Sequence, residues 1–226
     1  MSSAGRHAAS RPGEAAHEPR DSGPDVQPDP RPGDPETRRR ILDAALELLV
    51  AGRGSRVTLS DVARRADVSR QAIYLHFGGR ADLLVAVARR ADELRGLPAA
   101  IRRIEEASSG SEAVRELVAL QARMNPDIWP VALALEEVRR RDEAAERAWQ
   151  DRLEGRLAGC RAIVARLTRE GARLEGIGQE VAADLLWTLT SLRTWEDLVL
   201  QRQWSPRRYR AQVTRVALLA LTGKPG

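Results

Sequence analysis

TLSDVARRADVSRQAIYLHFGGRAD, residues 58–82, decides how the rest of the chain is read. Thr58 is an N-cap residue ahead of a short helix whose apolar members Leu59, Val62, Ala63 and Ala66 share one face. Asp67-Val68 then makes a turn with one apolar plug. Ser69 caps a second short helix in which Ala72, Ile73 and Phe77 turn inward. Left outside are Arg70, Gln71, Tyr74, Leu75 and His76: a cation, an amide, a phenol, an aliphatic chain and an imidazole. Two short helices, a tight turn and a polar second helix are what a helix-turn-helix needs to enter a major groove.

Extended by a few residues, VTLSDVARRADVSRQAIYLHFGGRADLL resembles the DNA-binding signature of the TetR/AcrR regulators. In that signature a T-x-x-x-I-A helix precedes V-S-x-x-x-(I/L)-Y-x-H-F. The resemblance runs from Arg38 to Leu84, and the YxHF ending is its most specific part. Two positions depart from it. Asp67 stands where the turn usually has glycine, and Arg80 stands where a lysine usually precedes the next helix. Aspartate tolerates the left-handed backbone at some cost, so neither departure removes a needed chemistry.

Within this motif the candidate DNA-binding residues are Thr58, Ser69, Arg70, Gln71, Ala72, Tyr74, Leu75, His76 and Arg80, with Ala72 counted both here and among the inward residues. The helix N-terminus at Ser69 and Arg70 suits a phosphate. Gln71 suits a bidentate contact to adenine, Arg70 a guanine, and Leu75 a thymine methyl. Tyr74, His76, Thr58 and Arg80 are placed for phosphates, which set register without reading sequence. Two alternatives stay open: Tyr74 packed on the preceding helix, and His76 capping its own.

Charge supports the reading by its distribution. The formal net charge is +5 over 226 residues, and Lys224 is the only lysine. Residues 1–35 hold four arginines against six acids, whereas residues 36–80 hold nine against five. Positive charge is therefore densest around the helix-turn-helix, as a footprint on DNA requires.

Residues 1–35 contain seven of the twelve prolines and almost nothing large and apolar, which reads as a disordered extension. Arg6, Arg11, Arg20 and Arg31 would be its means of reaching a minor groove, although the segment is net acidic. A helix starts near Pro35, carries the stripe Ile41, Leu42, Ala45, Leu48 and Leu49, and stops at Gly52 and Gly54. Arg38, Arg39 and Arg40 lie at its start. The DNA-binding domain is thus placed at residues 36–82 and a larger helical body at 83–226.

The body reads as helical throughout, with no alternating strand pattern, so the fold class is all-α. Leu83, Leu84, Val87 and Ala88 form the stripe of the first body helix. Asn125-Pro126 is expected to end one helix before another begins near Ile128. A long helix over about 142–173 has the stripe Ala145, Trp149, Leu153, Leu157, Cys160, Val164 and Leu167. Two final helices, Val181 to Gln203 and Pro206 to about Thr222, are apolar on more than one face, so a second surface must cover them. A second copy of the chain is the simplest cover, packed as a four-helix bundle. The candidate interface is Leu185, Leu189, Leu192, Val213, Val216, Ala217 and Ala220. The resemblance agrees, because it implies dimerisation through the last two helices, and W-S-P-x-x-Y at Trp204–Tyr209 looks like the family's link between them.

The resemblance further implies a ligand pocket inside the body and a first body helix that sets the tilt of the DNA-reading head. Gln121, Met124, Asn125, Trp129, Trp149, Trp187 and Trp195 combine bulk with polarity and are the candidate pocket residues, for an apolar or aromatic effector. Expected partners are double-stranded DNA, a second copy and that effector, with the spacing of the two heads implying a palindromic operator. No apolar run spans a membrane and no apolar leader follows Met1, which reads as cytoplasmic. No cofactor and no catalytic residue is expected. Cys160 is alone, and of three histidines His7 and His17 lie in the extension, so no metal site or histidine triad can be assembled in the body. The competing reading is a helical DNA-binding co-regulatory or interaction protein that takes no small ligand.

Overall fold

The computed structural model describes residues 33–53 and 56–223, with the backbone alone at Glu175. The expected extension, but for residues 33–35, lies outside them, as do the helix stop at Gly54 and the lone Lys224. Among the described residues there is no strand.

Four helices make the head: α1 (Pro35–Ala51), α2 (Leu59–Ala66), α3 (Arg70–Phe77) and α4 (Arg80–Leu94). Asp34 caps α1 by accepting from the N–H of Glu36 and Thr37, and Pro35 opens it with a fixed φ and no wasted donor. The left-handed residue after α1 is Arg53, while Gly52 keeps a negative φ. Ile41, Leu42, Ala45 and Leu49 are buried against Val62, Ala63, Ile73, Phe77, Leu83, Leu84 and Val87. Fully burying a side chain such as Ile41 or Ile73 stabilises by about 1.5–3 kcal/mol, so the four-helix head is held mainly by this knot.

The body consists of α5 (Leu97–Glu105), α6 (Gly110–Arg139), α7 (Glu143–Arg169), α8 (Gln179–Leu189), α9 (Leu192–Trp195) and α10 (Pro206–Thr222). A single 3-10 turn precedes α8, and a π-helical stretch, Glu196–Gln201, continues α9. The core that starts in the head does not stop at α4. Val131, Ala134 and Leu135 of α6 and Ala145 of α7 belong to the same apolar cluster, so head and body share packing. A second cluster joins α6, α7, α8 and α10 through Val114, Val164, Leu167, Leu186 and Leu218.

Two expectations about helix limits are corrected. Asn125-Pro126 does not end a helix: α6 runs unbroken through Pro126 and Pro130. A proline inside a helix removes one ladder bond and crowds the carbonyl four residues back. Here Met124, Asn125, Pro130, Val131 and Leu135 are buried on both sides of the lesion, and their packing holds the helix together. The penultimate helix is instead broken. α8 stops at Leu189, Thr190 turns its hydroxyl back on the Leu186 carbonyl at 2.7 Å, and Ser191 restarts the chain by accepting from Thr194 N–H at 3.0 Å. Serine and threonine compete with the helix for backbone groups, and two in succession win.

The last helices also sort their apolar residues differently from the expectation. Val213 and Ala217 are buried in their own chain, Val213 beside Tyr209 and Trp195, so they are core. Leu189, Leu192 and Ala220 are partly covered. What α8 and α10 present outward is Val181, Leu185, Val216 and Leu219, each 41–50% exposed.

Candidate nucleic-acid interface and ligand cavity

The N-terminus of α2 is fixed by a reciprocal cap. Thr58 Oγ1 accepts from Asp61 N–H at 3.2 Å, and Asp61 Oδ2 accepts from Thr58 N–H at 3.0 Å. The Thr58 hydroxyl beside Asp61 holds that carboxyl below its usual range. Asp67 then takes φ 53, ψ 55, the left-handed conformation glycine would adopt without strain. Ser69 restarts the chain as α3 by accepting from Ala72 N–H at 3.1 Å.

That turn aims α3. Ala72, Ile73 and Phe77 are buried, and this corrects the counting of Ala72 among the DNA-facing residues: its methyl is packing. Arg70 and Gln71 are exposed, and Tyr74 and Leu75 stand 45% and 56% exposed. Arg70 reaches Tyr74 Oη at 3.4 Å, one turn on. His76 is half-buried beside the Phe77 ring, with centroids 6.2 Å apart, on the side of α1 that carries Asp34. The Arg38 guanidinium lies 4.9 Å over the other participant, Phe77, which ties the start of α1 to α3. Among the described residues no carboxylate lies within ion-pair distance of Arg38, Arg56 or Arg70. An outward helix face with one uncompensated guanidinium group, an amide and a phenol is chemically equipped for phosphates and base edges.

Arg80 is occupied otherwise than expected. Its guanidinium donates to the carbonyl of Val57, at the entrance to α2, and to Glu137 of α6 at 3.1 Å. It therefore joins the head to the body. Gly78, at φ 66, makes the sharp bend before it.

Inside the body a cavity of about 1180 Å³ opens between α4, α5, α6 and α7. Gln121, Met124 and Asn125 of the candidate pocket set are on its wall. The four tryptophans of the candidate set are not. Trp149 packs against the head-side core under the Arg139 guanidinium, and Trp195 is buried beside Tyr209. Trp129 packs near Trp195, and Trp187 lies behind the wall with Arg156 over its ring. In each case a large aromatic surface is used to fill core, the ordinary use of tryptophan.

The wall also carries polar groups that an apolar-stripe reading overlooks. Asp92 of α4 pairs with Arg152 of α7 at 2.5 Å, and burial holds its carboxyl above the usual range. Arg166 binds Glu170 at 2.9 Å and the Ala107 carbonyl at 2.5 Å. Arg156 lies between these pairs, and Cys160 stands one turn further on, its thiol pushed up to about 11 by burial and hence unreactive. Arg152 and Arg156, four residues apart, were the available signal, since they place two cations on one side of α7 next to its apolar stripe.

Residues 41–87 match the sequence model of the bacterial regulatory proteins of the tetR family. Over 52 residues the chain is 54% identical to the HTH-type transcriptional regulator SrpR of Pseudomonas putida, a match covering 23% of this chain and 24% of that one. Over 91 residues it is 37% identical to the HTH-type transcriptional repressor LfrR of Mycolicibacterium smegmatis, covering 40% and 46%. Residues 41–87 therefore resemble the helix-turn-helix segment of the tetR family. These curated relatives are matched over less than half their length, and the TetR-family likeness of the body rests on fold. A TetR-family regulator from Rhodococcus sp. superposes with a TM-score of 0.64 at 20% identity, over 83% of this chain and 99% of that one. The regulator FadR of Bacillus subtilis, solved with stearoyl-CoA, gives 0.63 at 19% identity over 82% and 98%.

Proposed function

We propose that this protein is a sequence-specific DNA-binding transcriptional regulator of the TetR family, acting as a homodimeric repressor whose hold on a palindromic operator is released by a small ligand. The observation that carries the DNA reading is the division of α3: Ala72, Ile73 and Phe77 lock it into the head while Arg70, Gln71, Tyr74 and Leu75 stand free. Gln71 and Arg70 read bases, and Tyr74, with Ser69 and Arg70 at the helix N-terminus, holds phosphates. Two heads about 34–36 Å apart would occupy successive major grooves, which demands two-fold symmetry in the DNA.

The outward residues of α8 and α10 support the dimer. Val181, Leu185, Val216 and Leu219 form an apolar surface that a second copy covers with the same surface. The cavity supports the ligand response, because Val85, Ala88, Arg89 and Asp92 on its wall belong to α4, the helix that begins at the head. A ligand that prefers one tilt of α4 biases the separation of the two heads. Among the described residues no helix is long and apolar enough to cross a membrane, and a regulator of this kind works where the DNA is, in the cytoplasm.

The deciding experiment is a mobility-shift titration on DNA flanking the protein's own gene, followed by footprinting. A protected inverted repeat, bound far more tightly than random DNA at physiological salt, is expected. Binding that is weak, equal on all sequences and lost at moderate salt would overturn the reading.

A further inference from the structure

We propose that the cavity takes a ligand with an extended apolar body and a single carboxylate, and that Arg156 receives the carboxylate. The inference rests on the reading of the cavity as a ligand site and names the chemistry of what enters it.

Arg89 and Arg169 of the wall are exposed to solvent; of the three arginines that are not, Arg152, Arg156 and Arg166, only Arg156 has no carboxylate to answer its charge among the described residues. Arg152 is matched by Asp92 and Arg166 by Glu170, whereas no carboxylate lies within ion-pair distance of Arg156. Only its Nη2 is engaged, on the carbonyls of Trp187 at 3.0 Å and Thr190 at 3.1 Å, where α8 ends. Those two bonds and the Trp187 ring, 5.2 Å from the guanidinium carbon, fix the group in one orientation. The N–H groups on Nε and Nη1 meet no acceptor. Desolvation moves the guanidinium below its ordinary range, but an arginine starts so high that it stays charged at neutral pH.

A pre-oriented, charged fork with free donors on the wall of an apolar chamber is what a planar carboxylate binds best. On the neighbouring helix α6, Asn125 adds a second donor. It is 97% buried, lines the same cavity, and its Nδ2 has no partner. A buried amide left unpaired costs about 1–3 kcal/mol, and a ligand oxygen would recover it. Leu117, Leu120, Met124 and Ile163 make much of the remaining surface apolar, with Gln121 among them, which sets the body of the ligand. A cationic ligand fits worse, because Asp92, the one carboxylate of the wall that is not exposed, is already held by Arg152.

The test is a binding titration of the full-length protein without DNA, at neutral pH, followed by tryptophan emission. Decanoate, decanol and decylamine serve as probes of equal chain length that differ in the head group. Decanoate is expected to bind about tenfold or more tightly than decanol, the factor of one charge-assisted hydrogen bond. Arg156→Met should abolish that preference while leaving decanol unchanged, and Arg156→Lys should retain part of it. Decanol or decylamine binding as well as decanoate, or none of the three binding, would overturn the proposal. Loss of all three probes in both variants would assign Arg156 to the end of α8 and overturn it too. A clear carboxylate preference without operator release would instead uphold this assignment and count against the inducible-repressor reading.

Discussion

Gln71 and Arg70 stand one turn from Tyr74 on the same exposed face, yet their expected tasks differ, and single substitutions separate them. Gln71→Ala should leave the fold intact, because the side chain is exposed. It should relax base preference at one position per half-site, costing about 1–3 kcal/mol on the preferred operator and little on random DNA. Competition binding against operators randomised at each position checks this, and equal loss on specific and random DNA would remove Gln71 from the readers. At this scale the sequence was most legible where chemistry is local. The caps at Thr58 and Ser69 and the left-handed Asp67 follow from residue type and neighbours alone. Arg80 was not legible, since its partner Glu137 lies on a helix far along the chain. Nor was the role of the tryptophans, because a bulky side chain with one polar atom suits a core and a pocket wall equally, and only packing chooses.

Among the elements, α6 and α7 pack tightly at the start of α6. A Cβ on Gly110 would stand 2.7 Å from Leu167 Cδ2 and 2.8 Å from its Cγ, both in a buried side chain, and its N–H donates to Glu170 at 2.8 Å. Gly110→Ala should therefore cost about 1–3 kcal/mol by overpacking, seen as a lower urea midpoint. Gly155 of α7 is the control: a Cβ there meets nothing within 4 Å, so Gly155→Ala should gain about 0.5–1 kcal/mol from the lower entropy of the unfolded chain. If both variants move together, the close approach is not what Gly110 serves. Helical period and capping gave the elements of the head and α10 near their observed limits. They misjudged α6, because the penalty for an internal proline is offset by tertiary packing that no local window contains.

For the whole molecule the open question is what covers α8 and α10. Leu185→Glu with Val216→Glu would place carboxylates in the middle of the exposed apolar surface, 41% and 48% exposed in the single chain. The double variant should remain helical by circular dichroism but run as a monomer in light scattering, with operator affinity lowered at least about a hundredfold, since each head then binds alone. A variant that stays dimeric would move the interface elsewhere. Amphipathicity showed that these helices needed a second cover, but Val213 and Ala217 could not be assigned to the inner side before the helices were seen packed.

The two prolines of α6 have a mechanical consequence. Pro126 and Pro130 leave the carbonyls of Ala122 and Pro126 without their ladder bonds, so the helix is softest to bending between Asn125 and Val131. Its first half supplies most of the α6 residues that line the cavity, and its second half is bolted to the head through Val131, Leu135 and the Arg80–Glu137 bridge. α4 also touches both, but without an interrupting proline or glycine. Of the two rods that run between chamber and head, one is compliant and one is stiff. On the proposed reading, strain from a bound guest would be absorbed in the first and carried by the second, making α4 the load path of this protein and α6 its shock absorber.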